Sequence, residues 1–322
     1  MNELPGGRRS GGGGPLWLDG ATATELQRAG MSVDGPWWTN RAMNTEADRT
    51  RLRGIHQGYL GAGAQVITAN TFRCNLRALT RLGLFDAGLA WMVHAAVGVA
   101  QSAVRAVQDG RADGPRDAGR PLVAGPLVAG SVGPVEDCYR PDLVPPDDEL
   151  RAEHRWLATE LTRVGVDLVL IETMNSEREA RIALEEVRRA GARAWVGFVC
   201  DADARLLSGE KLAEAAAAAE RDGAEAVLVN CTAPAGSETA LRALRDACSG
   251  PIGAYPNIED RAGIPRSAHV DRHVPAALGP DEFADLIARW DAEFALDVVG
   301  GCCGTTPEHL AAARDRLARS GR

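Results

Sequence analysis

The feature of this sequence that most constrains its fold is a regular alternation of short apolar runs with longer stretches of helical period. Runs that are apolar at consecutive positions are typical of parallel strands buried on both faces. Eight β/α units in 322 residues predict a single-domain α/β fold, the (β/α)8 TIM barrel. The eight runs are residues 16–19, 65–70, 121–125, 166–172, 194–200, 226–231, 252–255 and 297–301.

An open, doubly wound sheet is the alternative architecture for such an alternation. Sheets of that kind that bind dinucleotides carry a G-x-G-x-x-G turn after the first strand. Residues 19–24 read DGATAT here, which lacks that glycine spacing. The barrel is therefore the preferred prediction.

Three segments lie outside the alternation. Residues 1–14 are rich in Gly and Arg and are predicted to be a disordered leader, with the barrel domain spanning 15–322. Residues 109–120 precede the third run and are predicted to form a flexible surface loop. Residues 259–279 follow the seventh run, where a segment can act as a lid over the site. We expect His269 and His273 within that segment to be solvated rather than to bind metal.

Charge and composition restrict the partners. A net charge of −8 and a pI near 5.4 argue against nucleic-acid binding. No run reaches the roughly 18 apolar residues of a membrane span, and residues 1–14 contain no apolar signal region. Seven cysteines without a secretion signal indicate a cytoplasmic protein with reduced thiols that serve metal binding or catalysis rather than disulfides. The sequence predicts no oligomeric state.

The polar residues that end the runs define the predicted site, because the carboxyl ends of barrel strands meet in one pocket. Acidic, amide, aromatic and thiol side chains all occur there. They are Asp19, Asn70, Thr71, Glu172, Asn230, Cys231, Tyr255, Asn257, Cys302 and Cys303.

Two adjacent cysteines between glycines indicate a metal site. Cys302 and Cys303 lie in the sequence GGCCG at residues 300–304, where glycine allows a sharp turn and a close approach to a ligand. Thiolates suit Zn²⁺, and a catalytic zinc site has three protein ligands and one open position. Cys231, at the end of the sixth run, is the best third ligand. The alternatives are buried cysteines without a role, or a disulfide between Cys302 and Cys303.

The strand-end motifs resemble those of the homocysteine S-methyltransferase family, and the resemblance runs from Leu16 to about Leu317. The matching segments are DGAT at 19–22 with ELQ at 25–27, ANTF at 69–72, ET at 172–173, NCT at 230–232 and GGCCGTTP at 300–307. The resemblance implies that Cys231, Cys302 and Cys303 bind zinc. It also implies that Asp19 and Glu172 hold the amino group of homocysteine. Asn230 is assigned to the same substrate site.

The resemblance implies methyl transfer to the thiol of homocysteine, giving methionine. We expect a sulfonium donor, S-methylmethionine or S-adenosylmethionine, because the sequence ends shortly after the last predicted helix. Trp38 and Tyr255 are predicted to face the donor cation, since aromatic rings attract cations. Residues 256–260 read PNIED, whereas S-methylmethionine enzymes tend to read PNSGE, so the donor or acceptor can differ from theirs.

Three other functions remain open at this point. The first is methyl transfer to another thiol or to a selenol. The second is a zinc hydrolase, which would need a base near a metal-bound water and is disfavoured because thiolate ligands reduce the Lewis acidity of zinc. The third is a non-catalytic zinc barrel that binds a partner or senses oxidation.

Overall fold

The computed structural model describes residues 14–112, 125–264 and 273–320, which form eight parallel strands. The strands follow the order β1-β8-β7-β6-β5-β4-β3-β2, and a parallel bridge between Leu18 and Val66 joins β1 to β2. The sheet thus closes, which confirms the (β/α)8 barrel. The strands are β1 (Leu16–Trp17), β2 (Val66–Ala69), β3 (Leu127–Val132), β4 (Leu168–Met174), β5 (Ala194–Phe198), β6 (Ala226–Asn230), β7 (Ile252–Tyr255) and β8 (Val298–Val299).

Helices separate the strands along the chain. Several begin at side chains that cap the free N–H groups of the first turn, such as Ser176 before α6 and Asn75 before α3. The helices are α1 (Thr22–Arg28), α2 (Glu46–Ala62), α3 (Leu76–Arg81), α4 (Ala87–Ala112), α5 (Asp147–Val164), α6 (Glu177–Arg189), α7 (Leu212–Arg221), α8 (Pro234–Ala247), α9 (Pro280–Phe294) and α10 (Pro307–Arg319).

Two apolar layers hold the barrel together. The inner layer fills the barrel with alternate strand residues, including Leu18, Leu170, Trp195 and Leu228. The outer layer packs the other strand faces against the helices. Because each strand is buried on both faces, its sequence is apolar at consecutive positions, as the sequence pattern indicates.

The third strand corrects the sequence prediction. Strand β3 is Leu127–Val132, whereas the prediction was 121–125. Gly125 is not in a strand, and residues 121–124 lie outside the described residues. The pentapeptide PLVAG occurs twice in succession, at 121–125 and 126–130. Local sequence cannot distinguish identical pentapeptides, and pairing of β3 with β2 and β4 selects the second.

Helix α4 bears on two further predictions. It continues to Ala112, so the loop predicted at 109–120 begins later, and residues 113–120 lie outside the described residues. Residues Ala87–Asp109 are long and apolar enough to cross a membrane by length and composition. This helix instead packs against α2, α5 and the barrel, with Val93, Ala96 and Ala100 fully buried. It is therefore a core helix of the barrel.

The segment predicted as a lid is anchored at both ends. Glu259 and Ala276 form an antiparallel bridge, and the Asp260 N–H donates to the Pro275 carbonyl over 2.7 Å. Residues 265–272, including His269, lie outside the described residues, as do residues 1–13 of the predicted leader. His273 is exposed. The lid stays a prediction.

Candidate metal and substrate site

The residue that directly follows strand β6, Cys231, has a strained backbone and lines the pocket. Cys231 has a φ of +50°, a left-handed conformation that is uncommon for residues other than glycine. Its N–H donates to the Tyr255 carbonyl over 3.2 Å, which holds the turn against β7. Such conformations persist where the surrounding structure enforces them, and they cluster at functional sites.

The loop after β8 presents the other two thiols. Gly301 is required because an added Cβ would lie 2.2 Å from the Thr305 hydroxyl oxygen, and Gly304 has a φ of +85°. The Cys302 N–H donates to the Pro256 carbonyl over 3.0 Å. The Cys303 carbonyl accepts from the Ile258 N–H over 2.9 Å. The glycines thus allow a tight turn that the loop after β7 supports.

The three predicted thiols meet at one point. The Sγ atoms of Cys231, Cys302 and Cys303 all lie within 4.8 Å of one another. Cys231 to Cys303 and Cys302 to Cys303 are both 3.9 Å. Two sulfurs bound to one zinc at about 2.3 Å in tetrahedral geometry lie about 3.8 Å apart, so the set fits Zn²⁺. The cysteines are free thiols, which disagrees with a Cys302–Cys303 disulfide.

The ionisation of this cluster also favours a cation. The pKa of Cys231 is lowered well below its usual value, mainly because the Cys302 and Cys303 thiols donate hydrogen bonds to its sulfur. The same contacts with Cys231 raise the pKa of Cys302 and of Cys303 well above the usual value. One thiolate therefore suppresses the ionisation of its neighbours, and a positive ion between the sulfurs would allow all three to ionise.

Tyr139 is a site residue that the sequence analysis missed. Its hydroxyl lies 3.1 Å from the Cys231 sulfur, and burial raises the pKa of the phenol well above its usual value. The phenol therefore stays protonated and can donate to a thiolate. Tyr139 lies in the loop after β3, and the misplaced third strand removed this loop from the set of strand ends. A correct strand position would have been the signal for it.

Asp19 is buried at the end of β1. It is 2% exposed, and its carboxylate accepts hydrogen bonds from the Thr68 N–H over 2.8 Å and the Thr68 hydroxyl over 2.7 Å. Burial raises the pKa of Asp19 to about 7, and the Thr68 hydrogen bonds only partly oppose this. A carboxylate held in this way gains from a cationic ligand, because a positive charge restores the ionised form.

Glu172 lies two residues before the end of β4, where the pairing with β5 is irregular. One carboxylate oxygen accepts from the Ser131 hydroxyl, and the other accepts from the Tyr255 hydroxyl over 3.2 Å. Burial raises the pKa of Glu172 to about 7, and the negative charge of Asp19 adds to the effect. Both carboxylates line one pocket together with the three cysteines. Tyr255 therefore orients Glu172 in this structure, and its predicted contact with the donor stays a prediction.

Asn230 supports the pocket from beneath. It is fully buried, and its amide oxygen accepts from the Thr173 N–H over 2.9 Å while its amide nitrogen donates to the Thr173 hydroxyl over 2.7 Å. Thr173 has a φ of +58° and directly follows Glu172. The amide thus holds the strained residue that positions Glu172. Direct contact of Asn230 with substrate stays a prediction.

Trp38 lines the same pocket as the three cysteines. Its ring packs against Phe72, with centroids 5.5 Å apart. The guanidinium carbon of Arg73 lies 5.3 Å from the centroid of the Trp38 ring. The ring that was predicted to face a donor cation already contacts a cation of the protein.

The fold and these residues define a class of protein, a (β/α)8 barrel with three clustered cysteines whose spacing fits a metal ion and two buried carboxylates in the same pocket. The sequence model of homocysteine S-methyltransferase matches residues 16–317. The chain therefore belongs to the homocysteine S-methyltransferase family, as its motifs predict.

Individual relatives agree with this assignment. The chain is 30% identical over 311 residues to homocysteine S-methyltransferase of Escherichia coli, covering 94% of each chain. It is 32% identical over 305 residues to methionine synthase of Mycobacterium tuberculosis, covering 91% of this chain but 24% of that protein. The metallated form of the E. coli homocysteine methyltransferase MmuM superimposes with a TM-score of 0.78 and 27% identity, covering 94% of this chain and 96% of that one.

Proposed function

We propose that this chain transfers a methyl group from a sulfonium donor, S-methylmethionine or S-adenosylmethionine, to the thiol of homocysteine, with Zn²⁺ held by Cys231, Cys302 and Cys303. The observation that carries the proposal is the convergence of three free thiols beside two buried carboxylates in one pocket. This arrangement suits a substrate that carries both a thiol and an ammonium group.

When bound, Zn²⁺ supplies a lower pKa for a coordinating thiol, so that the sulfur is nucleophilic at neutral pH. The protein supplies the ligands for it. Cys231, Cys302 and Cys303 would hold the ion, and three protein ligands would leave it able to bind a substrate sulfur. Tyr139, which contacts Cys231, limits the charge on that thiolate by hydrogen bonding.

Asp19 and Glu172 are proposed to bind the ammonium group of homocysteine. Each carboxylate already accepts hydrogen bonds from the protein and has lone pairs left for a ligand. Charge-assisted hydrogen bonds to two oriented carboxylates would fix the direction of the amino-acid end. The thiol end is then directed towards the cysteines.

The reaction is a displacement at carbon in which the C–S bond to homocysteine forms as the C–S bond of the sulfonium breaks. The thiol proton of homocysteine goes to solvent, and the leaving group is a neutral thioether that takes up no proton. The contribution of the protein is alignment of the attacking sulfur, the methyl carbon and the leaving sulfur on one line. General acid or base catalysis at the methyl group is unnecessary.

Small molecules are the proposed partners, and the cytoplasm is the proposed location. The seven cysteines all lie within the described residues and form no disulfide there, which suits a reducing compartment. The net charge of −8 disfavours binding to nucleic acid.

The proposal is tested by incubating the zinc-loaded protein with homocysteine and, in parallel, S-methylmethionine, S-adenosylmethionine, betaine or methyltetrahydrofolate. Methionine is measured by mass spectrometry. Cys303→Ala removes a proposed ligand, and Cys248→Ala is the matched control, because this thiol is buried at the end of α8 and does not line the pocket.

We expect methionine from a sulfonium donor with the wild type and the control, and none with Cys303→Ala. Methionine from betaine or methyltetrahydrofolate alone would contradict the donor. Failure with every donor would contradict the acceptor. If selenocysteine or a thiol other than homocysteine is methylated faster in competition, that compound would be the acceptor instead of homocysteine.

A further inference from the structure

Arg73 lines the pocket, and its side chain packs on an aromatic ring. It follows Phe72 in the loop after β2 and lines the pocket. Its guanidinium lies 5.3 Å from the centroid of the Trp38 ring, and that ring packs against Phe72. A guanidinium stacked on a tryptophan is held in place while its N–H groups remain available at its edges.

The guanidinium of Arg73 lies over the Trp38 ring but forms no ion pair with a carboxylate among the described residues. Its Nε atom is buried and makes no hydrogen bond. Asp137 lines the same pocket but accepts from the Tyr139 N–H over 2.8 Å. Arg261, another cation of this pocket, differs because it pairs with Glu259. A guanidinium that lines a ligand pocket without a carboxylate partner suits an anionic ligand group.

The topology places Arg73 where the methyl donor must lie. Strands β2 and β6 are four places apart in a ring of eight and face each other across the barrel. Arg73 follows β2, and Cys231 follows β6. A nucleophilic sulfur near the cysteines attacks a methyl group from the β6 side, so the remainder of the donor extends towards the β2 side.

We propose that Arg73 binds a carboxylate of the methyl donor, which makes the enzyme selective for sulfonium donors that carry a free carboxylate. This inference rests on the proposed function. A guanidinium offers two parallel N–H groups that match a carboxylate, and the pair is stronger than a neutral hydrogen bond. The same positive charge repels a donor that is only a cation. Arg73 thus selects zwitterionic donors over simple onium compounds.

The test compares S-methylmethionine with its carboxamide, which differs only in lacking the negative charge. The measured quantity is the ratio of kcat/KM for the two donors with homocysteine as acceptor. Arg73→Gln, Arg73→Lys and the wild type are compared. Arg193→Gln is the matched control, since that arginine is at the start of β5 and pairs with Glu225. Zinc content is measured for each protein.

We expect Arg73→Gln to lower the ratio about 30-fold or more, because one member of a buried charge pair is removed. Arg73→Lys should restore part of it, since lysine keeps the charge but loses the planar fork. The KM for homocysteine, the zinc content and the Arg193→Gln control should not change.

Equal losses with both donors would overturn the proposal and assign Arg73 a structural role. A raised KM for homocysteine with an unchanged ratio would place the carboxylate on the acceptor, which also overturns it. If the wild type forms no methionine, the proposed function fails, and calorimetry of S-methylmethionine with the zinc-loaded protein decides the matter. Binding that is lost in Arg73→Gln and weak for the carboxamide supports the role of Arg73. Absent or unchanged binding rejects it.

Discussion

The Sγ atoms of Cys231 and Cys303 lie 3.9 Å apart although 72 residues separate them in sequence. Strand β7 explains the approach, because its end holds both loops. The Tyr255 carbonyl accepts from the Cys231 N–H, and the next carbonyl, of Pro256, accepts from the Cys302 N–H. Backbone hydrogen bonds at the end of β7 therefore hold the two loops that bring the cysteines together.

The buried carboxylates predict a pH dependence of homocysteine binding. The pKa of Asp19 and of Glu172 is raised to about 7, so the protonated fraction of each grows as the pH falls through 7. A protonated carboxyl binds an ammonium group weakly. We expect the KM for homocysteine to rise by up to about tenfold per pH unit for each carboxylate below pH 7. Steady-state kinetics from pH 6 to 8.5 measure it.

The variant Asp19→Asn serves as the control for that profile. It should have a high KM at pH 8 and a shallower dependence below pH 7, because one titrating group is gone. The KM for the donor should stay flat over the same range. A KM for homocysteine that is independent of pH would contradict the role of both carboxylates.

Removal of the Tyr139 hydroxyl should weaken the metal site. Tyr139→Phe deletes the hydrogen bond to the Cys231 sulfur and leaves the ring in place. Groups that hydrogen-bond to metal ligands typically contribute 10–100-fold to metal affinity or activity. We expect the zinc dissociation constant to rise about tenfold, as measured by competition with a chelator.

Tyr59→Phe is the matched control for Tyr139. Its hydroxyl is also buried near the end of the barrel but donates to the carbonyls of Ala21 and Thr305. This variant should lose stability and keep its zinc affinity. Equal zinc affinity in Tyr139→Phe and the wild type would show that the contact does not support the site.

Asn230→Ala should destabilise the barrel and loosen Glu172. The variant leaves the buried N–H of Thr173 without a partner, which costs about 1–3 kcal/mol of the free energy of unfolding. Because Thr173 follows Glu172, the KM for homocysteine should rise as well. Urea denaturation and steady-state kinetics measure the two effects. Thr173→Ser keeps both hydrogen-bonding groups and should change neither the stability nor the KM strongly. An Asn230→Ala protein of wild-type stability would show that the hydrogen bonds between Asn230 and Thr173 do not stabilise the barrel.

Because His56 is buried, we expect the free energy of unfolding to fall at acid pH, independently of the functional site. Its side chain is fully buried in α2, neither ring nitrogen has a partner, and burial lowers its pKa to about 4. Between pH 6.5 and 4 the unfolded chain therefore binds a proton that the folded chain does not. The free energy of unfolding should fall by about 3 kcal/mol over this range.

Replacement of His56 should remove that loss. We expect His56→Leu to lower the pH dependence of stability between pH 6.5 and 4, as measured by urea denaturation at several pH values. His273→Gln is the control, since His273 is exposed. An unchanged slope in His56→Leu would contradict the burial of a neutral imidazole.

The sequence was most informative where one residue type had one plausible use. Consecutive apolar positions specify strands buried on both faces, and the doubled cysteines between glycines at a strand end specify a point of convergence. The prediction of the third strand was wrong because the sequence PLVAG occurs twice. Only the pairing of β3 with its neighbouring strands distinguishes the two occurrences. The same failure hid Tyr139.

Other features depend on contacts between separate loops and have no local signal. Asn230 was predicted from its place beside Cys231, but its hydrogen bonds to Thr173 join the ends of β4 and β6, which β5 separates in the sheet. Arg73 contacts Trp38 across 35 residues of sequence, and only the folded chain shows this stacking.

We expect methyl transfer to homocysteine to depend on zinc held by the three cysteine thiolates. The most direct measurement removes metal from the reduced protein with a chelator and titrates Zn²⁺ back, with zinc per chain and methionine formation from S-methylmethionine or S-adenosylmethionine followed together. We expect no activity without metal, a linear rise to a plateau at about one zinc per chain, and no recovery in Cys303→Ala. A metal-free chain that still forms methionine would contradict this expectation.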